Sequence, residues 1–336
     1  MNLFKAELHR IARRRLSLIF GICAVAGLLA LTVIMWFNSS TGPSEADLAF
    51  AQSQADEVNA RYEACADDEQ FFEGHPEYGW VADDEWFKDM PHEQACSEVF
   101  WADARAEDFI YVYTFKFHEE GVVLLIGVGI VTGLLAMLLA ASTIGAEWSS
   151  GGIANLLVWH PNRMRVWSAK LGAVVTVCAL AVVAMLALAF GLLYLTAAVR
   201  GDTGTLDAPW WGDTSERLTR TGVLALGMTV LGSALAMLGR HTAIAGGVIV
   251  GYLTVGEMLV TFVRLGIDMR FPELLSVYTW IGAWIEGRVT LEHWNGLSEL
   301  PETMVLTATD AGLLLGGIVL LFTALGTWSF AKRDIT

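Results

Sequence analysis

The sequence predicts an all-α polytopic membrane protein with six transmembrane helices and a helical extracytoplasmic domain between the first two. Three observations predict it. The 336 residues are 54% hydrophobic, above the share of ordinary soluble domains. The apolar residues gather in blocks, and six blocks reach about 18 mostly uncharged residues, enough to cross a hydrocarbon core of roughly 30 Å. Those blocks lack the alternation of barrel strands, and a bilayer offers bare backbone no partners, so they are read as helices.

In chain order the spans are 16–37, 120–142, 171–199, 221–238, 242–263 and 311–330. Ahead of them, residues 1–15 place Leu3, Phe4, Leu8, Ile11 and Ala12 at helical spacing, with Lys5, Arg10, Arg13 and Arg14 facing elsewhere. This fits an amphipathic helix in the inner interface; an extension of span one with snorkelling arginines is the other reading. Span one itself is read as an anchor rather than a signal peptide, because its apolar run is long and Trp36, Phe37 and Asn38 follow it in place of a small-residue cleavage site.

Positive residues orient the chain. With the N-terminus inside, the inner segments carry eleven Lys/Arg in 52 residues and the outer segments ten in 150, the direction the positive-inside bias demands. Both termini are then expected to be cytoplasmic in a multi-pass protein. The net charge of −15 belongs to one segment, since residues 39–118 hold nineteen Asp/Glu against four Lys/Arg. Such acidity excludes nucleic acid as a partner of that segment.

The outer domain, 38–119, opens with a helix signal at Pro43, Ser44 and Glu45, and Leu48, Ala55, Val58, Tyr62 and Cys65 continue it. A second helical pattern begins near His92 and runs through Cys96, Val99, Phe100 and Ala104. Cys65 and Cys96 share this oxidising side and are predicted to pair, stapling a helical hairpin; Cys23 and Cys178 lie within spans as small apolar groups. A short acidic echo, Ala66–Phe71 and Ala82–Phe87, has no calcium-loop spacing and is read as a solvated face, so no metal site is expected. The other large outer segment, 264–310, holds Tyr278, Trp280, Trp284 and Trp294 and suits an interfacial or shallow re-entrant pair of helices. Trp210 and Trp211 are expected in an aromatic-belt loop.

Several chemistries lack their residues. No phosphate-binding loop, HExxH, GxSxG or CxxC occurs, so neither ATP hydrolysis by the usual loop nor another catalysis is expected in this chain, and no cofactor. Glu257 is the one carboxylate well inside a predicted span, a costly position. It serves either a translocation path or a pairing with Arg264 or a neighbouring span. Gly129/Gly133, Gly247/Gly251 and Gly312/Gly316 permit close helix contact.

Between spans two and three lies a polar, basic inner segment, 143–170. From Glu147 it forms a helix to Leu157 or Val158, stopped by Pro161. A plain connector and a mechanical lever both fit that shape. The run Gly145-x-Glu147, Ser150-Gly151-Gly152-Ile153, Leu156-Leu157, Pro161, Arg163 and Ala169-Lys170-Leu171 resembles the corresponding segment of ABC-2 type permeases, the membrane subunits of ATP-binding-cassette exporters. The basic amphipathic start, the six spans and the ending Phe330-Ala331-Lys332-Arg333-Asp334 add to the likeness. Gly152-Ile153 departs from the family's usual threonine-leucine pair, and the outer domain is larger than in compact members.

The resemblance implies a permease subunit for a hydrophobic or amphipathic substrate, acting with a second permease copy or paralogue. A separate ATPase subunit would bind ATP and Mg. In it the inner helix is a coupling helix: Glu147 starts it, Trp148, Ile153 and Leu156 pack, Ser150 belongs to the coupling set, Pro161 ends the helix, and Arg163 faces the ATPase or lipid phosphates. Two rival functions are a non-transporting membrane sensor or scaffold with an acidic ligand-binding outer domain, and a proton-coupled secondary transporter using Glu257.

Overall fold

A computed structural model describes residues 3–88, 90–267, 269–294 and 300–332. Met1, Asn2, Arg333 and Asp334, which the sequence reading included in the terminal segments, lie outside them. The chain divides into two compact units. One comprises Met1–Ile34, Lys116–Ala198 and Thr203–Thr336; the other comprises Met35–Phe115 and Val199–Asp202.

In the smaller unit, α3 (Glu45–Asp67) follows α1 (Leu3–Ala12) and α2 (Arg15–Asn38) in the chain. The Ser44 side chain accepts the Asp47 backbone N–H while the Asp47 carboxylate accepts that of Ser44, a reciprocal cap that starts α3 where the sequence signals it. Two short turns, α4 (Phe71–Gly74) and α5 (Gly79–Asp83), lead to α6 (His92–Val99). The Cys65–Cys96 disulfide joins α3 to α6 with Cα atoms 5.8 Å apart. Phe71 is buried beside it, and Tyr62, Phe72, Tyr78 and Phe100 close the cluster. Asn59 fixes the chain that follows α6, donating to the Ala104 carbonyl and accepting its N–H, both at 2.8 Å. Ser39 ties the unit's ends: its hydroxyl donates to the Arg200 carbonyl at 2.5 Å and accepts the Phe115 N–H at 2.9 Å.

The larger unit holds α7 (Val122–Ser149), α8 (Gly152–Trp159), α9 (Arg163–Arg200), α10 (Ala208–Gly239), α11 (Thr242–Gly251), α12 (Glu257–Gly266), α13 (Val277–Glu286) and α14 (Ala308–Lys332). Five helices, α2, α7 with its preceding π turn, α9, α10 and α14, are long and apolar enough to cross a membrane. Expected spans three and four prove to be parts of longer helices. At about 1.5 Å per residue the 38-residue α9 is roughly 57 Å long, so it outruns the hydrocarbon core. α10 begins at Ala208 on an Asp207 cap, which puts Trp210 and Trp211 in its first turn rather than in a loop.

The fifth expected span, 242–263, winds helically to Gly266 but is divided into α11, a π turn at Tyr252–Gly256 and α12. Another π turn, Phe117–Gly121, precedes α7. In each, an aromatic ring lies over the glycine four residues on: a Cβ at Gly121 would meet Phe117 at 2.7 Å, and one at Gly256 would meet Tyr252 at 2.8 Å. The sequence pattern has a helical period through both, so only side-chain packing reveals the wider turn.

α7 and α10 form the centre, each about half buried along its apolar window. Small residues bring their backbones together. A Cβ on Gly133 would meet the Ala225 Cβ at 2.9 Å, and Gly232 lies against the Met137 carbonyl. Of the expected glycine pairs, Gly129/Gly133 serves this contact and Gly312 packs on Trp284, whereas Gly247, Gly251 and Gly316 face open space. In 264–310 the expected helix pair is one helix, α13, followed by an antiparallel hairpin of β1 (Arg288–His293) and β2 (Glu302–Thr307). The all-α expectation is corrected there: Val289, Thr290, Thr303, Val305 and Thr307 are β-branched, and Leu291 and Leu306 turn one face inward.

Gly133→Val should lower stability by about 1–3 kcal/mol through overpacking, while Gly127→Val, with nothing within 4 Å, should cost far less; thermal unfolding in detergent compares them. Mass spectrometry of unreduced peptides should find Cys65 joined to Cys96, and reduction should cost the smaller unit about 3–4 kcal/mol.

Candidate functional site

Residues 143–170 are built differently from the expected single helix. α7 continues through Glu147 to Ser149, and the chain reverses at Gly151, whose φ of 69° suits glycine and strains other residues. α8 then runs from Gly152 to Trp159, Pro161 follows, and Asn162 Oδ1 accepts the Arg165 N–H at the start of α9. Glu147 therefore ends a span rather than starting the coupling helix.

Glu147 is buried at 6% exposure within a four-residue ion cluster. Its Oε1 lies 2.9 Å from an Arg10 guanidinium nitrogen, and its Oε2 lies 2.5 Å from Lys170 Nζ, a contact off the hydrogen-bonding direction. Lys170 Nζ also donates to Glu7 Oε1 at 2.7 Å. Glu7 and Lys170 are buried as well, and Arg10 remains half exposed. The cluster thus joins α1, the end of α7 and the second turn of α9. In a low-dielectric setting one buried ammonium between two carboxylates is stable only because each charge has a partner. Arg14, in the turn between α1 and α2, donates to Ser142 Oγ at 3.4 Å. Loss of water around it lowers its guanidinium from the ordinary arginine value, while nearby Glu147 acts the other way.

The remaining site residues divide. Ile153 is fully buried with Ile144, Trp167, Met237 and Phe330, so it anchors α8 to this chain. Trp148 donates from Nε1 to Met237 Sδ at 3.2 Å, stacks edge-on with Phe330 and carries the Arg240 guanidinium 4.8 Å over its ring. Ser150 donates to the Glu147 carbonyl at 3.5 Å. Arg163 does not face outward: it donates to the Phe330 and Ala331 carbonyls at 3.3 Å, where the C-terminal dipole of α14 favours a cation. Leu156 is half-buried and Pro161 exposed.

Two exposed apolar residues were missed. Val158 and Trp159 are 78% and 79% exposed at the end of α8. Their sequence signal was an apolar pair directly before His160-Pro161, too near the helix end to declare a face. Glu7 and Lys170 had a signal too, as the one acid in a basic amphipathic start and the cation bordering an apolar run.

Glu257 does not pair with Arg264, which meets Glu273 at 3.1 Å. Instead Glu257 accepts from Tyr252 at 3.1 Å and from Ser276 at 2.8 Å, joining the π turn to the start of α13. Among the described residues, the one His/Cys/Asp/Glu group close enough to hold a metal is Cys65, His92 and Cys96. Its two sulfurs are bonded to each other, and the His92 Nε2 sits 2.6 Å from the Cys65 carbonyl. No protein-family model matches the chain, and no curated protein matches it in sequence.

Lys170→Met should cost about 3–5 kcal/mol, because it strands two buried carboxylates. Arg10→Gln, at a half-exposed pair, should cost under about 1 kcal/mol. Chemical unfolding of the full chain in detergent measures both, and equal losses would contradict the assignment.

Proposed function

We propose that this chain is the permease subunit of an ATP-driven exporter of the ABC-2 type. In this reading α11, the π turn and α12 complete six spans, both termini lie in the cytoplasm, and the protein resides in the plasma membrane of a prokaryote. It pairs with a second copy or a paralogue, and a separate ATPase subunit binds ATP and Mg. A hydrophobic or amphipathic substrate passes along the spans. The likeness of residues 145–171 to the family supports the class.

One observation carries the reading. α8 is an eight-residue helix clamped between two long helices by Ile153, and it presents Val158 and Trp159 bare. An exposed Trp beside an apolar residue is the composition of an interface anchor. Held by Glu147 on one side and Lys170 on the other, α8 transmits a push on its free end to α7, α9 and α1 together. The packing roles first given to Trp148 and Ile153 are internal, so the partner meets Val158 and Trp159 instead.

The full-length protein purified from its native membranes should carry an ATPase with a phosphate-binding loop. The Val158→Ala/Trp159→Ala double variant should lose about thirtyfold of that affinity while keeping its own unfolding temperature. An ATPase retained at wild-type level by the double variant would refute the docking role.

A further inference from the structure

Beside the Lys170 cluster opens a cleft of about 240 Å³, lined by Arg10, Arg14, Thr143, Ala146, Glu147 and Ser150. One water needs only roughly 15 Å³, so the cleft admits a larger group. Its charges do not balance. Lys170 lies on Glu7 and Glu147, and Arg10 lies on Glu147. Arg14 has the Ser142 hydroxyl but, among the described residues, no carboxylate within 4 Å. Three cations thus face two carboxylates, and the surplus positive charge sits on the cleft wall. Thr143 and Ser150 each already donate to a backbone carbonyl of α7, so they add polarity without charge.

The setting narrows the occupant. Arg14 stands between amphipathic α1 and apolar α2, and Leu18, Ile19 and Ile22 are all at least half exposed one turn or two further on. A helix with so bare an apolar surface meets acyl chains there, so the turn preceding it lies where lipid phosphates lie. A guanidinium offers forked donors that match phosphate oxygens better than an ammonium does.

We propose that this cleft binds a phosphate group, with Arg14 as its principal donor and the exposed edge of Arg10 as its second. Either an anionic lipid headgroup or a free phosphate compound carries that chemistry; the apolar flank of α2 favours the headgroup. The site does not depend on an ATPase partner.

Thermal unfolding of the full-length protein in an uncharged detergent, titrated with phosphatidylglycerol, phosphatidylcholine or inorganic phosphate, tests this through ligand-linked stabilisation. Phosphatidylglycerol should raise the unfolding temperature of the wild type and of Arg13→Gln, whose side chain does not line the cleft. In Arg14→Gln the half-saturating concentration should rise at least about tenfold, as for a lost charge-assisted hydrogen bond. Ala146→Leu fills the cleft without changing charge and should abolish the response; it carries the test if Arg14→Gln fails to fold. Stabilisation by inorganic phosphate at equal concentration assigns the site to a free phosphate compound, and its absence assigns it to the headgroup. Equal responses of all four proteins, equal stabilisation by phosphatidylcholine, or no response of the wild type to either phosphate source would overturn the proposal.

Discussion

The larger unit is organised around one buried ammonium. Lys170 Nζ lies between Glu7 and Glu147, and none of the three can be exposed singly without leaving an uncompensated charge in a poorly hydrated place. Desolvation makes such a cluster a weak source of net stability, yet a strong selector of arrangement. The placement of α1 against α7 and α9 brings all three groups together. α8 lies in the chain between Glu147 and Lys170, so its exposed end, Val158 and Trp159, follows directly on the ion cluster.

A second constraint acts deeper, where no charges are available. α7 and α10 meet through Gly129, Gly133, Ala225 and Gly232, with backbones close enough that an added methyl would collide. Without a hydrophobic force between helices in lipid, close van der Waals contact is what holds them. α2 and α14 use little of this packing, and their leucines and isoleucines, among them Leu18, Ile22, Leu313 and Leu320, remain exposed for lipid. The unit therefore has a tight two-helix centre with looser flanks, and the ion cluster compensates for sparse contact on the α1 and α9 side.

Five long apolar helices were legible because length and apolarity are local properties, and the start of α3 was legible because Ser44 and Asp47 form a local cap. The Cys65–Cys96 bond followed from cysteine count and compartment. Boundaries failed where helices outran the bilayer, since α9 and α10 extend through charged residues that a hydropathy criterion discards. The π turns were invisible because they depend on Phe117 and Tyr252 folding over glycines. At the site, Glu147 was expected to start the helix that follows but lies in the last turn of α7, because Gly151 adopts a left-handed turn that no local pattern required. Arg163 was read as facing the ATPase or lipid phosphates because the carbonyls it meets, those of Phe330 and Ala331, lie 167 residues away or more in the chain.

Glu7 of α1 and Lys170 of α9 act as one unit. A double-mutant cycle with Glu7→Gln, Lys170→Met and the combined variant measures it by chemical unfolding of the full chain. The expected coupling exceeds about 1.5 kcal/mol, with the double variant recovering much of the stability lost by either single one. Losses that add within about 0.5 kcal/mol would show that the two residues do not share a buried interaction and would contradict the account.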